Sequence, residues 1–285
     1  MIRWSGIMIS FHPLFVIIML ASVITGHFVE LITLFAIVFI HEWGHVAAAR
    51  WFGVNVISVQ MLPFGGVAVM EDTTFLNAGR EIIIAVAGPL QNGLLIGLAW
   101  LLHVFGLWDG PFYEYFVQGN ILIALFNLLP VLPLDGGKIA HSLFSIIFPY
   151  HSSLVWSLRI SILFSLFVIG YALFPLLLQN GVLQLNLLLI GSFLLYSNYV
   201  DYRNIPYRFM RFLMNRDRSF SHHLLHGSLA QPIIADKVQP LEHILRLFKR
   251  DKYHFIYVMN RQGKIIAVLP EQKVIYTFMK GGPAA

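Results

Sequence analysis

The chain has 285 residues, of which 58% are hydrophobic and only 12% charged, with a formal net charge of +5. A soluble chain carries about a quarter charged residues, so this composition and a mean hydropathy of +0.73 exclude an ordinary soluble protein and indicate a polytopic membrane protein. Cysteine is absent, which removes disulfides and thiolate metal sites but names no compartment.

Six apolar runs approach the roughly 18–20 residues that cross a bilayer; they lie near 11–26, 29–51, 81–105, 115–148, 154–178 and 181–200. The first follows Arg3 and has the look of a signal peptide, but no small-x-small cleavage site follows, so it reads as a retained helix. The fourth contains Pro130, Pro133 and the pair Gly136-Gly137, which no single straight helix accommodates. Six passes put both termini on one side. The opposite connections, 26–30, 105–115 and 178–182, hold Glu30, Asp109 and Glu114 but no Lys or Arg, so the termini are expected in the cytoplasm.

The domain of six passes is expected to span 1–200, followed by a basic linker at 201–227. The stretch DYRNIPYRFMRFLMNRDR carries five arginines against two aspartates, and serves either to fix orientation or to attract anionic lipid heads. From 228 to 285 the chain reads as a small soluble α/β unit. Pro232-Ile233-Ile234 leads to a helix near 239–250, and HFIYVMN and KIIAVLP are strands about the turn RQGK. EQKVIYTFMK closes the unit as a helix. A unit this small has a marginal core and is expected to pair with a second copy.

Ionisable residues at membrane depth mark functional sites by default, and Glu42 and Asp135 are the acids well inside apolar runs. Glu42 belongs to His41-Glu42-Trp43-Gly44-His45 in the second pass. Histidines four apart share one helix face, so this pattern offers two imidazoles to zinc and a carboxylate beside them to handle a proton. Two core histidines satisfied by neighbouring helices are the bland alternative, a poor one in lipid. A third ligand is needed, and Asp135 is the candidate, in the broken fourth pass at a comparable depth. Irregular backbone is tolerated there only against protein or a wet cavity. Asn127, eight residues earlier, is a candidate donor to the developing oxyanion or else a tie across the break. Gly44 and Gly88-Pro89 read as places of close helix approach. Asn92 hydrogen-bonds either into the site or between helices, and the structural role is the expected one. Residues 54–71 read as two short strands about Pro63-Phe64-Gly65-Gly66. The cluster His222, His223 and His226 lies in the tail and carries no assigned role.

HEWGH, then NLLPVLPLDGG about ninety residues later, resembles the site-2 protease family of intramembrane metalloproteases. ITGH, MLPFGG and AGPLQN (87–92) extend the likeness. A single C-terminal unit resembling a CBS domain points to the subgroup that carries one. The resemblance implies peptide hydrolysis, one Zn2+ per chain held by His41, His45 and Asp135, and Glu42 as base. It implies a membrane-associated β-hairpin whose Pro63, Phe64, Gly65 and Gly66 align an extended substrate; a plain cytoplasmic hairpin is the alternative. It further implies a membrane-associated sigma-factor precursor as substrate, inhibitory membrane proteins as partners, and the mother-cell membrane around the forespore as location. The CBS-like unit would bind ATP or another nucleotide and support homo-oligomers. No nucleic-acid partner is expected. The competing reading is a membrane metal-binding or zinc-transport protein. It leaves Glu42 unexplained and calls for a symmetry-related second ligand set, which the sequence does not show. An inactive scaffold is disfavoured because all four site residues are present.

Overall fold

The computed structural model describes residues 2–4, 7–62, 65–70, 76–177, 183–216 and 229–280. It forms two compact units, one of residues 1–73 with 79–139 and one of 74–78 with 140–285.

The first unit opens with strands β1 (Ile2–Trp4) and β2 (Ile7–Phe11), then helices α1 (Pro13–Thr25) and α2 (Phe28–Trp51). Strands β3 (Val56–Leu62) and β4 (Gly65–Met70) follow, then α3 (Ala78–Val104), whose first residue Ala78 counts with the second unit, α4 (Pro111–Asn127), and α5 (Asp135–Ile147), of which residues 135–139 belong here and the rest to the second unit. The strands form one sheet in the order β1-β2-β3-β4. The expected strand pair at 54–71 is present, but as half of this sheet. Ile7–Phe11 pairs in parallel with β3, Met8 opposite Ser58 and Phe11 opposite Met61, so the first helix begins at Pro13 rather than residue 11. Proline suits a first helical turn, where its missing N–H is not needed. Gly65 and Gly66 lie in β4, opposite Leu62 and Met61; Pro63 and Phe64 fall outside the described residues.

Among the described residues, three helices are long and apolar enough to cross a membrane: Phe28–Trp51, Ala78–Val104 and Tyr150–Leu176. With 13 residues, α1 rises about 20 Å at 1.5 Å per residue, less than a bilayer core of about 30 Å. The fourth apolar run is broken as expected, α4 ending at Asn127 and α5 starting at Asp135. The first turn of α5 backs directly onto the break. A Cβ on Gly137 would stand 2.5 Å from the Val131 carbonyl oxygen, and one on Gly136 would meet the Leu128 carbonyl. Only glycines let Asp135 sit at a helix start so close to irregular chain.

The second unit contains α6 (Tyr150–Leu177), α7 (Leu185–Arg203) and α8 (Ile205–Met214), then β5 (Ala230–Asp236), α9 (Leu241–Leu245), β6 (Tyr253–Met259), β7 (Ile265–Pro270) and α10 (Glu271–Met279). The two expected strands are β6 and β7, and a third, β5, lies parallel to β6 in the order β5-β6-β7. Pro232 is tolerated because β5 is an edge strand, where a missing N–H costs no ladder bond. The helix expected at 239–250 is only the five residues of α9. The chain turns away beyond it to bury Phe248 completely and to send Arg250 Nε to the Leu76 carbonyl at 3.0 Å. Asp251 next to it accepts the Ala78 N–H at 3.1 Å, and a carboxylate at a helix N-terminus is favoured by the exposed amides there.

Arg216 is buried in this unit. Its guanidinium donates to both Glu271 oxygens, at 2.9 and 2.8 Å, and to the Lys249 carbonyl at 2.9 Å. His254 takes its Nε2 partner from the Lys249 N–H at 3.3 Å, which leaves Nδ1 to donate to Glu271 at 3.1 Å. A buried charge pair of this kind persists only with its remaining hydrogen bonds met, and here they are met.

Candidate metal centre

Helix α2 carries His41, Glu42 and His45, all buried. The two imidazoles lie on one face, as four-residue spacing on a helix requires, with Nε2 to Nε2 3.2 Å. Asp135, the first residue of α5, brings Oδ2 to 3.0 Å from His41 Nε2 and 3.0 Å from His45 Nε2. Its other oxygen accepts from Lys138 Nζ at 2.9 Å.

The far side of each ring settles what the near side offers. His45 Nδ1 faces the backbone carbonyl of Ile84 at 2.7 Å; a carbonyl only accepts, so Nδ1 carries the proton. His41 Nδ1 faces Asn92 Oδ1 at 2.6 Å. In its neutral form each ring therefore turns an Nε2 lone pair toward the Asp135 carboxylate. Two such lone pairs and a carboxylate oxygen within 3.2 Å of one another call for a positive charge between them, a proton or a metal cation. This is a borderline-soft nitrogen and oxygen donor set of the type zinc takes, and imidazoles tied back through Nδ1 are the usual support of such a set.

Glu42 lies beside this trio: one of its carboxylate oxygens and a ring nitrogen of each histidine fall within 4.8 Å of one another. Strand β4 covers it. The Ala68 N–H donates to Glu42 Oε2 at 3.1 Å, and a Cβ on Gly66 would stand 3.0 Å from Glu42 Cδ. Helix α3 approaches from another side. A Cβ on Gly44 would meet the Ala87 carbonyl oxygen at 2.5 Å, and one on Gly88 would stand 2.5 Å from His45 Cε1 and 2.6 Å from His41 Nε2. Gly44 thus acts in helix approach, as expected, whereas Gly88 lies against the two imidazoles themselves.

Asn127 donates to the Ile123 carbonyl of its own helix at 3.0 Å, a contact inside α4 that does not cross the break. Asn92 spans both of its alternatives: it holds His41 and also donates to Asn120 Oδ1 at 3.1 Å. Asn120 and Lys138 are additions that the sequence reading did not reach. A polar amide inside an apolar run, the feature that singled out Asn92, equally marks Asn120. His222, His223 and His226 lie outside the described residues.

What these helices enclose is the working part of a membrane-embedded metallopeptidase. Residues 29–118 and 109–168 match peptidase family M50. The chain is 31% identical over 278 residues to stage IV sporulation protein FB of Bacillus subtilis, a match covering 97% of this chain and 93% of that one. It is 30% identical over 169 residues to a zinc metalloprotease of Methanocaldococcus jannaschii, covering 56% of this chain and 44% of the relative. Among solved structures, the site-2 protease from Methanocaldococcus jannaschii superposes with a TM-score of 0.56 at 27% identity, covering 71% of this chain and 94% of that one. The chain belongs to peptidase family M50, the site-2 proteases, as its motifs implied.

Proposed function

We propose that this metallopeptidase cuts a membrane-associated protein at the site built by His41, Glu42, His45 and Asp135, with one zinc ion per chain. The observation that carries the reading is the convergence of two imidazole nitrogens and a carboxylate oxygen within 3.2 Å of one another, with the Glu42 carboxylate beside them. Zinc, when bound, supplies Lewis acidity to the scissile carbonyl and to the attacking water. His41 and His45 present neutral Nε2 atoms, and Lys138 holds the Asp135 carboxylate in place through its second oxygen. Glu42 takes the proton from water as the oxygen adds to the carbonyl carbon. It then delivers that proton to the amine nitrogen as the C–N bond breaks. The burial of all four residues excludes bulk water and strengthens each of these interactions.

An extended substrate would lie along the outer edge of β4, at Gly65 and Gly66, since a strand edge captures a peptide through main-chain hydrogen bonds. The place of β4 at the end of the strand order supports this. The name of the Bacillus relative places that protein in sporulation, which supports a sigma-factor precursor as substrate, with inhibitory membrane partners and a mother-cell membrane location. Six passes with cytoplasmic termini remain part of the reading, supported by the three membrane-length helices and the charge pattern. The βαββα unit after residue 229 supports the CBS-like domain, as a nucleotide-binding and self-associating module. Cleavage of the precursor in a co-expression host tests the proposal. The native chain should cut, and Glu42→Gln should keep its zinc and not cut; cleavage by Glu42→Gln would overturn the assignment of the base.

A further inference from the structure

The two histidines are not held alike. His45 Nδ1 meets a backbone carbonyl directly, and a carbonyl leaves no choice of tautomer. His41 Nδ1 meets a side-chain amide, and an amide can present either its oxygen or its NH2. Which end Asn92 presents decides whether His41 offers a lone pair or an N–H to the metal position.

Asn120 makes that decision. Its Nδ2 donates to the Phe116 carbonyl, one turn back in α4, at 2.9 Å. The Phe116 oxygen can only accept, so Asn120 must put its NH2 there and its Oδ1 toward Asn92. Asn92 must then place its own NH2 on Asn120, at 3.1 Å, and its Oδ1 on His41, at 2.6 Å. Asn92 and Asn120 are both 0% exposed, so no water can correct a wrong orientation. Turning Asn92 over would set two buried amide oxygens against each other with no donor between them, which is costly in an apolar surround.

We infer that Asn120 is a positioning residue for the peptidase centre: through Asn92 it fixes the His41 tautomer that binds zinc. The inference rests on the zinc reading above and adds a residue that touches neither metal nor substrate. Without Asn120, Asn92 is free to turn its NH2 to His41 Nδ1. The ring then accepts there and carries its proton on Nε2, where it cannot ligate.

Zinc affinity of the purified full-length protein, measured by competition against a chelator, gives the readout, alongside cleavage. Loss of an outer partner of this kind weakens metal binding roughly 10–100-fold, and Asn120→Ala should show a loss in that range. Asn120→Leu refills the volume and should show the same loss, which keeps the test open if the alanine variant does not accumulate. Asn120→Asp still offers an acceptor to Asn92 and should bind zinc nearly as the native chain does. The decisive variant is Asn92→Asp combined with Asn120→Ala. A carboxylate has no wrong end, so it should restore affinity, which a mere packing role for Asn120 would not allow. Native affinity in Asn120→Ala, or no recovery in the double variant, overturns the inference while leaving the zinc site intact. Failure of the native chain to bind zinc at all sinks the underlying reading instead.

Discussion

Replacing Gly88 by alanine tests the placement of α3 against the two histidines. The added Cβ would meet His45 Nε2 first, and would stand 2.5 Å from His45 Cε1 and 2.6 Å from His41 Nε2, where ordinary contact begins at 3.4 Å, a shortfall of at least 0.8 Å. The rings cannot swing aside, because His45 is tied at 2.7 Å to the Ile84 carbonyl and His41 at 2.6 Å to Asn92. Helix α3 cannot back away cheaply either, because α2 and α3 already meet closely at Gly44. Overpacking of this kind costs about 1–3 kcal/mol. Drawn from the bound state, that is roughly a 5–150-fold loss of zinc affinity, since a metal site tolerates ligand displacements of only about 0.2 Å. Helix propensity acts the other way, alanine being favoured over glycine by about 1 kcal/mol in a helix interior, so a loss cannot be blamed on the backbone. Gly93→Ala in the same helix is the control, with nothing within 4 Å of its added Cβ. Zinc content and chelator competition read the outcome, with peptidase activity falling in parallel. Full zinc occupancy and native activity in Gly88→Ala would refute the placement of α3 at the metal centre.

Asn127→Ala separates the two roles open to that side chain. An oxyanion donor costs about 10²–10³-fold in kcat when removed, whereas loss of an intrahelical tie costs about 1 kcal/mol of stability and leaves kcat within a few-fold. The Ile123 contact favours the second outcome, and a thousandfold drop in kcat with zinc retained would reverse it. In the βαββα unit, burial pushes the Glu271 carboxyl up, but the hydrogen bond from His254 and the charge of Arg216 outweigh it and hold it below the ordinary range. Burial likewise holds His254 below its ordinary value, a shift that its bond to Glu271 opposes without cancelling. The unfolded chain therefore binds more protons than the folded one in acid. Stability should fall with pH, first below about 6.5 through His254 and then below about 4.3 through Glu271. Glu271→Gln should cost about 3–5 kcal/mol by stranding a buried guanidinium and should abolish the lower step, as read by thermal unfolding across pH; a melt unchanged at neutral pH would refute the buried pair.

The parts of this molecule that sequence reveals are those whose causes are local. The spacing of His41 and His45 is a property of one helix, and Pro130, Pro133, Gly136 and Gly137 announce the break at Asp135 by their own stereochemistry. The strand Ile7–Phe11 was not legible in the same way. IMISF is a short apolar run that periodicity cannot tell from the start of a helix, and it becomes a strand through a parallel partner some fifty residues away. Strand β5 was obscured by Pro232, which argues against a strand until its edge position is known. Helix α9 stops early because of where Phe248 and Arg250 find partners, a long-range fact. Gly88 looked like a packing glycine, and its meeting with the imidazoles needed the crossing of α2 and α3. Asn120 carried the one signal that could have been followed, a polar amide where lipid-facing sequence offers it no partner.

Arg216 stands at one end of residues 217–228, and strand β5 begins at Ala230 just past the other end. The guanidinium is already bound to Glu271 and to the Lys249 carbonyl, while the Tyr150 N–H at the start of α6 donates to the Phe248 carbonyl at 2.9 Å. The covalent connection between α8 and the βαββα unit is thus duplicated by noncovalent ones. A protease nick within 217–228 would divide the polypeptide without freeing the unit. The severed pieces would travel together in mild detergent and part only when the charge pair is acidified or the protein denatured. Attachment in this protein is a matter of folded contacts, and the peptide chain is its redundant copy.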